Sequence, residues 1–191
     1  SRTDPFNLES VEVINGANSV YSGAGSVGGT INLVTKNAGL NEFHKASIAA
    51  GADSYARVTA DSNFVIGESS ALRLNIMGHQ NDVPGRDVET NERWGAAASL
   101  AFGLGGDTTW SLNYLHQEDQ NTPQYGLPFF NGDGLPGVDR GNYYGYSNID
   151  KQDIELDSLT SIIEHSFNDK FKIRNLTRWQ QVDQFSLVDA V

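Results

Sequence analysis

The sequence predicts a mostly β chain of consecutive antiparallel strands. Three observations predict it: apolar and polar residues alternate in one segment after another, tight turns alternate with longer polar links, and no apolar run approaches the ~20 residues of a membrane helix. Successive side chains of a strand point to opposite faces, so alternation means one apolar and one polar face. Two architectures produce that signature. In a β-sandwich the apolar face is buried against a second sheet; in a membrane barrel it meets lipid.

Composition narrows the function classes. The chain has 191 residues, with 13 Lys+Arg against 24 Asp+Glu for a net charge of −11, and no cysteine. An acidic chain without a basic run repels a phosphate backbone, so no nucleic-acid partner is expected. Thiolate metal sites and disulfide scaffolds need cysteine and are excluded.

Taken in order, residues 1–36 read as a small mixed unit. Val11, Val13 and Ile14 form a short apolar run, 16–29 is rich in glycine and serine, and 30–36 alternates again. Residues 37–42 have the Asn/Gly composition of a linker. From 43 onward strands follow one another. Residues 43–51 alternate loosely; in 57–66 Val58, Ala60, Phe64 and Ile66 face Arg57, Thr59, Asp61 and Asn63. In 71–79 Leu72, Leu74 and Ile76 alternate with Arg73, Asn75 and Met77. Trp94, Ala96, Ala98, Leu100, Phe102 and Leu104 carry the next apolar face, then Trp110, Leu112 and Tyr114. Segment 153–168 changes phase near Ser158 and Leu159, which predicts a bulge there. In the last segment Phe171, Ile173 and Trp179 oppose Lys172, Arg174, Arg178 and Gln180.

Tight turns are expected at 67–69, 105–107 and 168–170, and longer links at about 79–92 and about 118–152. Turns sorted by length onto two ends suit an outer-membrane barrel. Phe64, Phe102, Trp110, Phe167 and Phe171 gather near the tight-turn ends, where a barrel carries an aromatic girdle. A soluble or surface β-sandwich binding carbohydrate or protein through its long loop is the alternative reading.

Several motifs that could suggest other chemistry lack their context. Residues 23–28 spell G-x-G-x-x-G, but no strand leads directly into them and no helix follows, so a dinucleotide site is not expected. His44, His79, His116 and His165 are isolated, no serine lies in G-x-S-x-G, and no carboxylates pair by spacing, so neither a metal nor a catalytic centre is expected. The chain is read as a non-enzyme without a cofactor.

The first residues bring in a family. Leu8-Glu9-Ser10-Val11-Glu12-Val13-Ile14-Asn15-Gly16, then Ser19-Val20-Tyr21, then the stretch from Gly28 through Thr30-Ile31-Asn32 to Thr35-Lys36, resembles the end of the plug domain of TonB-dependent outer-membrane receptors. Ala17 stands where that pattern has proline, and Ser22 where it has glycine. Residues 123–128 and 139–145 resemble the corresponding loop of ferric siderophore receptors, particularly catecholate-type ones.

That resemblance implies boundaries, partners and sites. Residues 1–36 would be the C-terminal part of the plug, 37–42 a linker, and 43–191 the first seven strands of a transmembrane β-barrel of about 22 strands, incomplete in this chain. The function implied is binding of a ferric siderophore and its energised uptake across the bacterial outer membrane. Iron is then substrate, and the partners are outer-membrane lipid and the TonB complex, reached through an N-terminal segment with no counterpart here. Gln124, Tyr125, Phe129, Phe130, Arg140, Tyr143 and Tyr144 become candidate ligand contacts, because aromatic faces and a guanidinium suit a flat anionic catecholate complex. Glu9 and Glu12 in the plug need partners on the wall. Arg57 and Arg73 lie on the lumen-facing side, and a pair between Glu12 and a lumen-facing arginine is expected.

Overall fold

A computed structural model describes residues 4–16, 28–124, 126–130 and 133–188. The glycine-rich motif at 23–28 lies outside the described residues except for Gly28, as does Tyr125. A 3₁₀ turn (Pro5–Asn7) leads into β1 (Leu8–Asn15), which pairs antiparallel with β2 (Gly29–Thr35). Residues 36–42 then lead into β3 (Phe43–Ala50), β4 (Ala56–Gly67), β5 (Ser70–Asp82), β6 (Thr90–Phe102) and β7 (Thr108–Asn121). Two short strands, β8 (Phe129–Phe130) and β9 (Asp133–Gly134), pair within the long loop. The long strands β10 (Lys151–Asn168) and β11 (Phe171–Leu187) follow.

The sheet is a seven-stranded meander in the order β11-β10-β7-β6-β5-β4-β3, so each long strand pairs with its sequence neighbours. It is one open antiparallel sheet, and among the described residues no second sheet covers its apolar face. The burial pattern identifies which face is which. On β5 the polar-side residues Ala71, Arg73, Asn75 and Met77 are buried, whereas Leu74 and Ile76 are 41% and 56% exposed. On β6 Ala97, Ser99 and Ala101 are buried while Trp94 is exposed. A sandwich requires the opposite assignment, and that alternative is overturned. The sheet is inverted relative to a soluble protein: its apolar face is the outer one.

The core is correspondingly small and lies on the inner face. Phe6 packs on Met77 and Ala97 with Leu115 alongside, and Ala38 on Ala71 and Ala101 with Leu104 alongside. Phe6 and Ala38 thus cover the polar side of β5 to β7.

The strands overrun the expected links. The connections shorten to 83–89 and 122–150, because β5, β7 and β10 continue further than their apolar patterning. At about 3.3 Å per residue, the 18 residues of β10 span roughly 60 Å, about twice a bilayer's hydrocarbon thickness. This length explains the phase change near Ser158. The register runs unbroken there, Ser158 opposite Leu115 and Gln180, and the bulge lies instead between Ser166 and Asn168. Leu159, Ile163 and Phe167 share the outer face with Asp153, Glu155 and Asp157. The pattern changes where the strand leaves the apolar band, with no slip in pairing.

Aromatic rings mark the lower edge of that band. Phe102 stacks on Trp110 at 5.6 Å, Phe167 meets Phe171 at 5.2 Å, and His44 meets Phe64 at 5.0 Å. Gly103 makes the tight turn beneath them possible: its φ is +67°, and a Cβ there would lie 2.0 Å from the Thr108 carbonyl oxygen.

Candidate functional site: a charged seam and the long loop

The described N-terminal residues meet the sheet through two clusters of charge. Asp4 caps the 3₁₀ turn, accepting the Phe6 N–H at 3.0 Å, and is itself buried. Its carboxylate also accepts from Arg57 Nη2 and Nη1 at 2.6 and 3.0 Å and from Arg93 Nη1 at 3.2 Å. Arg93 also donates to Asp119 at 2.6 and 2.8 Å, and Gln117 accepts the Asp4 N–H at 2.9 Å. Burial alone raises the pKa of the Asp4 carboxyl, but hydrogen bonds from Arg57, Phe6 and Arg93 outweigh it and hold that pKa below the ordinary aspartate value. Three strands thus converge on Asp4: Arg57 from β4 and Arg93 from β6 bind its carboxylate, and from β7 Gln117 accepts its N–H while Asp119 braces Arg93.

Beside this clamp sits a steric socket. A Cβ on Gly95 would lie 2.8 Å from Phe6 Cε1 and 3.2 Å from the His116 carbonyl oxygen. Only glycine lets the ring of Phe6 approach the wall this closely.

The second cluster centres on Arg73. It donates to both oxygens of Asp61, at 2.9 and 2.8 Å, to Glu9 at 3.0 Å and to the Asn37 carbonyl at 3.1 Å. Lys36 reaches the same Asp61 at 2.9 Å and Asn75 at 3.1 Å. Asp61 is the half-buried partner of the buried Arg73, while Glu9 is 57% exposed and so adds little net stability. Nearby, Asn63 clasps the backbone before β3, donating to the carbonyls of Gly39 at 2.6 Å and Asn41 at 2.8 Å.

The expected pair between Glu12 and an arginine is not formed among the described residues. Glu12 accepts from Asn32 Nδ2 at 2.8 Å across β1 and β2. Glu12 stands in register directly opposite Asn32, whereas Glu9 lies at the irregularity in the β1–β2 pairing between Leu8 and Ser10 and reaches Arg73. Asp4, which sequence reasoning missed, holds the central place. Its available signal is an Asp-Pro pair opening a turn just before the first apolar run.

In the long loop Gln124 is exposed, and the Phe129 and Phe130 backbones form β8. The Tyr143 hydroxyl donates to Asp150 at 2.9 Å, the Tyr144 hydroxyl to the Asp139 carbonyl at 3.0 Å, and the Tyr146 N–H to Asp150 at 2.7 Å. Arg140 is exposed, and its carbonyl accepts from Arg86 at 2.7 Å. Asp87 N–H donates to the Gly141 carbonyl at 2.9 Å, and Arg86 also pairs with the fully buried Glu89. The structure thus joins the 83–89 turn to 139–141, and it leaves the aromatic rings of Tyr143 and Tyr144 partly open with their hydroxyls tied inside the loop.

No protein-family model matches the sequence. The catecholate siderophore receptor Fiu of Escherichia coli (strain K12) is 40% identical over 204 residues, an alignment covering 98% of this chain and 26% of that protein. The probable TonB-dependent receptor BfrD of Bordetella pertussis is 40% identical over 184 residues, covering 93% and 25%. Among solved structures, the open form of the ferric-catecholate import receptor Fiu from E. coli K12 superposes with a TM-score of 0.87 at 40% identity, over 97% of this chain and 30% of that one. The siderophore receptor PiuA from Acinetobacter baumannii gives 0.86 at 34% identity, over 96% and 27%. The chain spans about a quarter of the length of the curated relatives it matches.

Proposed function

We propose, on the premise that this chain is a segment of the TonB-dependent outer-membrane receptor family, that it forms the end of the plug and the first seven wall strands of a receptor for a ferric catecholate siderophore. On this reading residues 1–36 are plug, 37–42 the linker and 43–191 the wall. The apolar outer face lies in the lipid of the bacterial outer membrane. The polar inner face lines the lumen, and the complete receptor imports the iron complex with energy delivered by the TonB complex to a plug segment outside this chain.

The observation that carries the proposal is the inverted burial of the sheet, with Arg57, Arg73 and Arg93 turned inward onto Asp4, Glu9 and the linker. Lipid replaces a second sheet on the apolar side, and the plug replaces solvent on the polar side. A lumen arginine satisfied by the plug needs no water, which suits a pore that must stay closed between transport events. Catecholate is favoured among siderophore classes because Fiu, at 40% identity, is named for that class.

Gln124, Tyr125, Phe129, Phe130, Arg140, Tyr143 and Tyr144 remain the proposed ligand contacts, for the aromatic rings and the guanidinium in their chemistry. Iron is carried as substrate, and the proposal includes no enzymatic step and no resident cofactor. Binding of ferric catecholates and ferric hydroxamates to the complete gene product in detergent tests the reading. Saturable binding of a catecholate complex alone is expected; saturable binding of hydroxamates alone would overturn the substrate class.

A further inference from the structure

On the outer face of β7, β10 and β11, above the apolar band, acidic side chains stand opposite one another. Glu118 on β7 faces Glu155 on β10, which faces Asp183 on β11, so three carboxylates form one row. Like charges directly opposite across a sheet destabilise it. Glu118 is partly compensated by Trp94 Nε1 and Gln120 Nε2, each donating at 2.8 Å, and Asp183 by Gln181 at 2.7 Å. Glu155 makes no hydrogen bond or ion pair among the described residues. One row below, His116 faces Asp157, with Nδ1 3.0 Å from Oδ1.

One ligand atom each from His116, Glu155 and Asp157 lies within 4.8 Å of the others. We infer that these three side chains form a binding site for a divalent transition cation of the zinc class on the outer surface of the sheet. One imidazole nitrogen and two carboxylate oxygens are a donor set that zinc accepts, with water completing the coordination. Calcium and magnesium prefer an all-oxygen shell, so the imidazole sets the class. The neutral tautomer with its hydrogen on Nε2 presents the Nδ1 lone pair to the cation. The bound ion also neutralises the Glu118, Glu155 and Asp183 row, the electrostatic reason for it to bind there.

All three ligands stand on paired strands, so register sets their spacing and closing on an ion requires side-chain rotation only. Tyr114 Oη donates to Asp157 Oδ1 at 2.6 Å and competes for that lone pair. The ring of Trp94 lies 4.7 Å from that of His116 and walls one side of the imidazole. Sequence spacing could not reveal the site, because His116 and the two acids meet only through the pairing of β7 with β10. The inference stands independently of the transported substrate.

Calorimetric titration of the complete gene product in detergent with zinc(II) tests it. One saturable site is expected in the wild type, at least tenfold weaker in His116→Gln, Asp157→Asn and Glu155→Gln. Tyr114→Phe and the distant His165→Gln should bind as tightly as wild type or tighter. Glu155→Gln is the decisive variant, because an exposed carboxylate without a partner can be neutralised without harming the fold. Zinc binding unchanged by Glu155→Gln, or displacement of zinc by equimolar calcium, would overturn the inference.

Discussion

Arg57 on β4 and Asp4, 53 positions earlier in the chain, are joined by two hydrogen bonds of 2.6 and 3.0 Å, with the carboxylate only 4% exposed. The pair ties the 3₁₀ turn to the wall, and Arg93 tightens it from β6. Neutralising Asp4 leaves the half-buried Arg57 with no counter-charge among the described residues, whereas Arg93 keeps Asp119. Asp4→Asn should therefore cost about 3 kcal/mol of the segment's attachment. Urea-dependent proteolysis at residues 4–16 in the complete gene product reads this, and cleavage at the wild-type urea concentration would contradict it.

The same carboxyl predicts a pH dependence. Its folded pKa lies below the unfolded aspartate value, so its contribution is fully present above about 4 and is lost as pH falls through the folded value. The stability difference between wild type and Asp4→Asn should be constant from pH 8 to about 5 and shrink only below about 4. A difference that shrinks between pH 7 and 5 would contradict the assignment.

Phe6 and Gly95 form a socket that should show coupling. Gly95→Ala places a methyl 2.8 Å from the Phe6 ring and should destabilise by about 1–3 kcal/mol. Phe6→Ala should cost about 3–4 kcal/mol by emptying the small core around Met77 and Ala97. In the double variant the added methyl meets less ring, so the two costs should add to less than their sum. Strict additivity in a double-mutant cycle would show that Gly95 is kept for another reason.

Lysine scanning separates the two faces of β5. Ile76→Lys on the outer face should cost about 2–4 kcal/mol of folding free energy in vesicles if placed near mid-membrane. Exposed sites in water tolerate such a change within about 0.5 kcal/mol, so equal folding of Ile76→Lys and wild type in lipid would contradict an outer face in contact with acyl chains.

Much of this was legible in the alternation of residues such as Leu72, Leu74 and Ile76 with Arg73, Asn75 and Met77. A period of two marks a strand and its faces in any environment, and length-sorted turns favoured a barrel over a sandwich. Partners across the lumen were harder to read. Glu12 and Glu9 look alike in sequence, yet Glu9, at the pairing irregularity between Leu8 and Ser10, reaches Arg73, and Glu12 reaches Asn32 directly opposite it. Asp4 carries no periodic signal at all, and Gly95 reads as one more small residue on β6. The apparent bulge at Ser158 came from a change of environment along a stretch of unbroken register, from the apolar band around Leu159 to the acidic region around Asp157. Sequence reports environment and pairing together, and only register separates them.

The most direct test is uptake of radioactive iron by cells that express the complete gene product as their sole outer-membrane iron receptor. A ferric catecholate should enter, and uptake should stop when the inner-membrane proton gradient is collapsed. Entry of neither catecholate nor hydroxamate complexes, or uptake indifferent to that gradient, would contradict the proposed role.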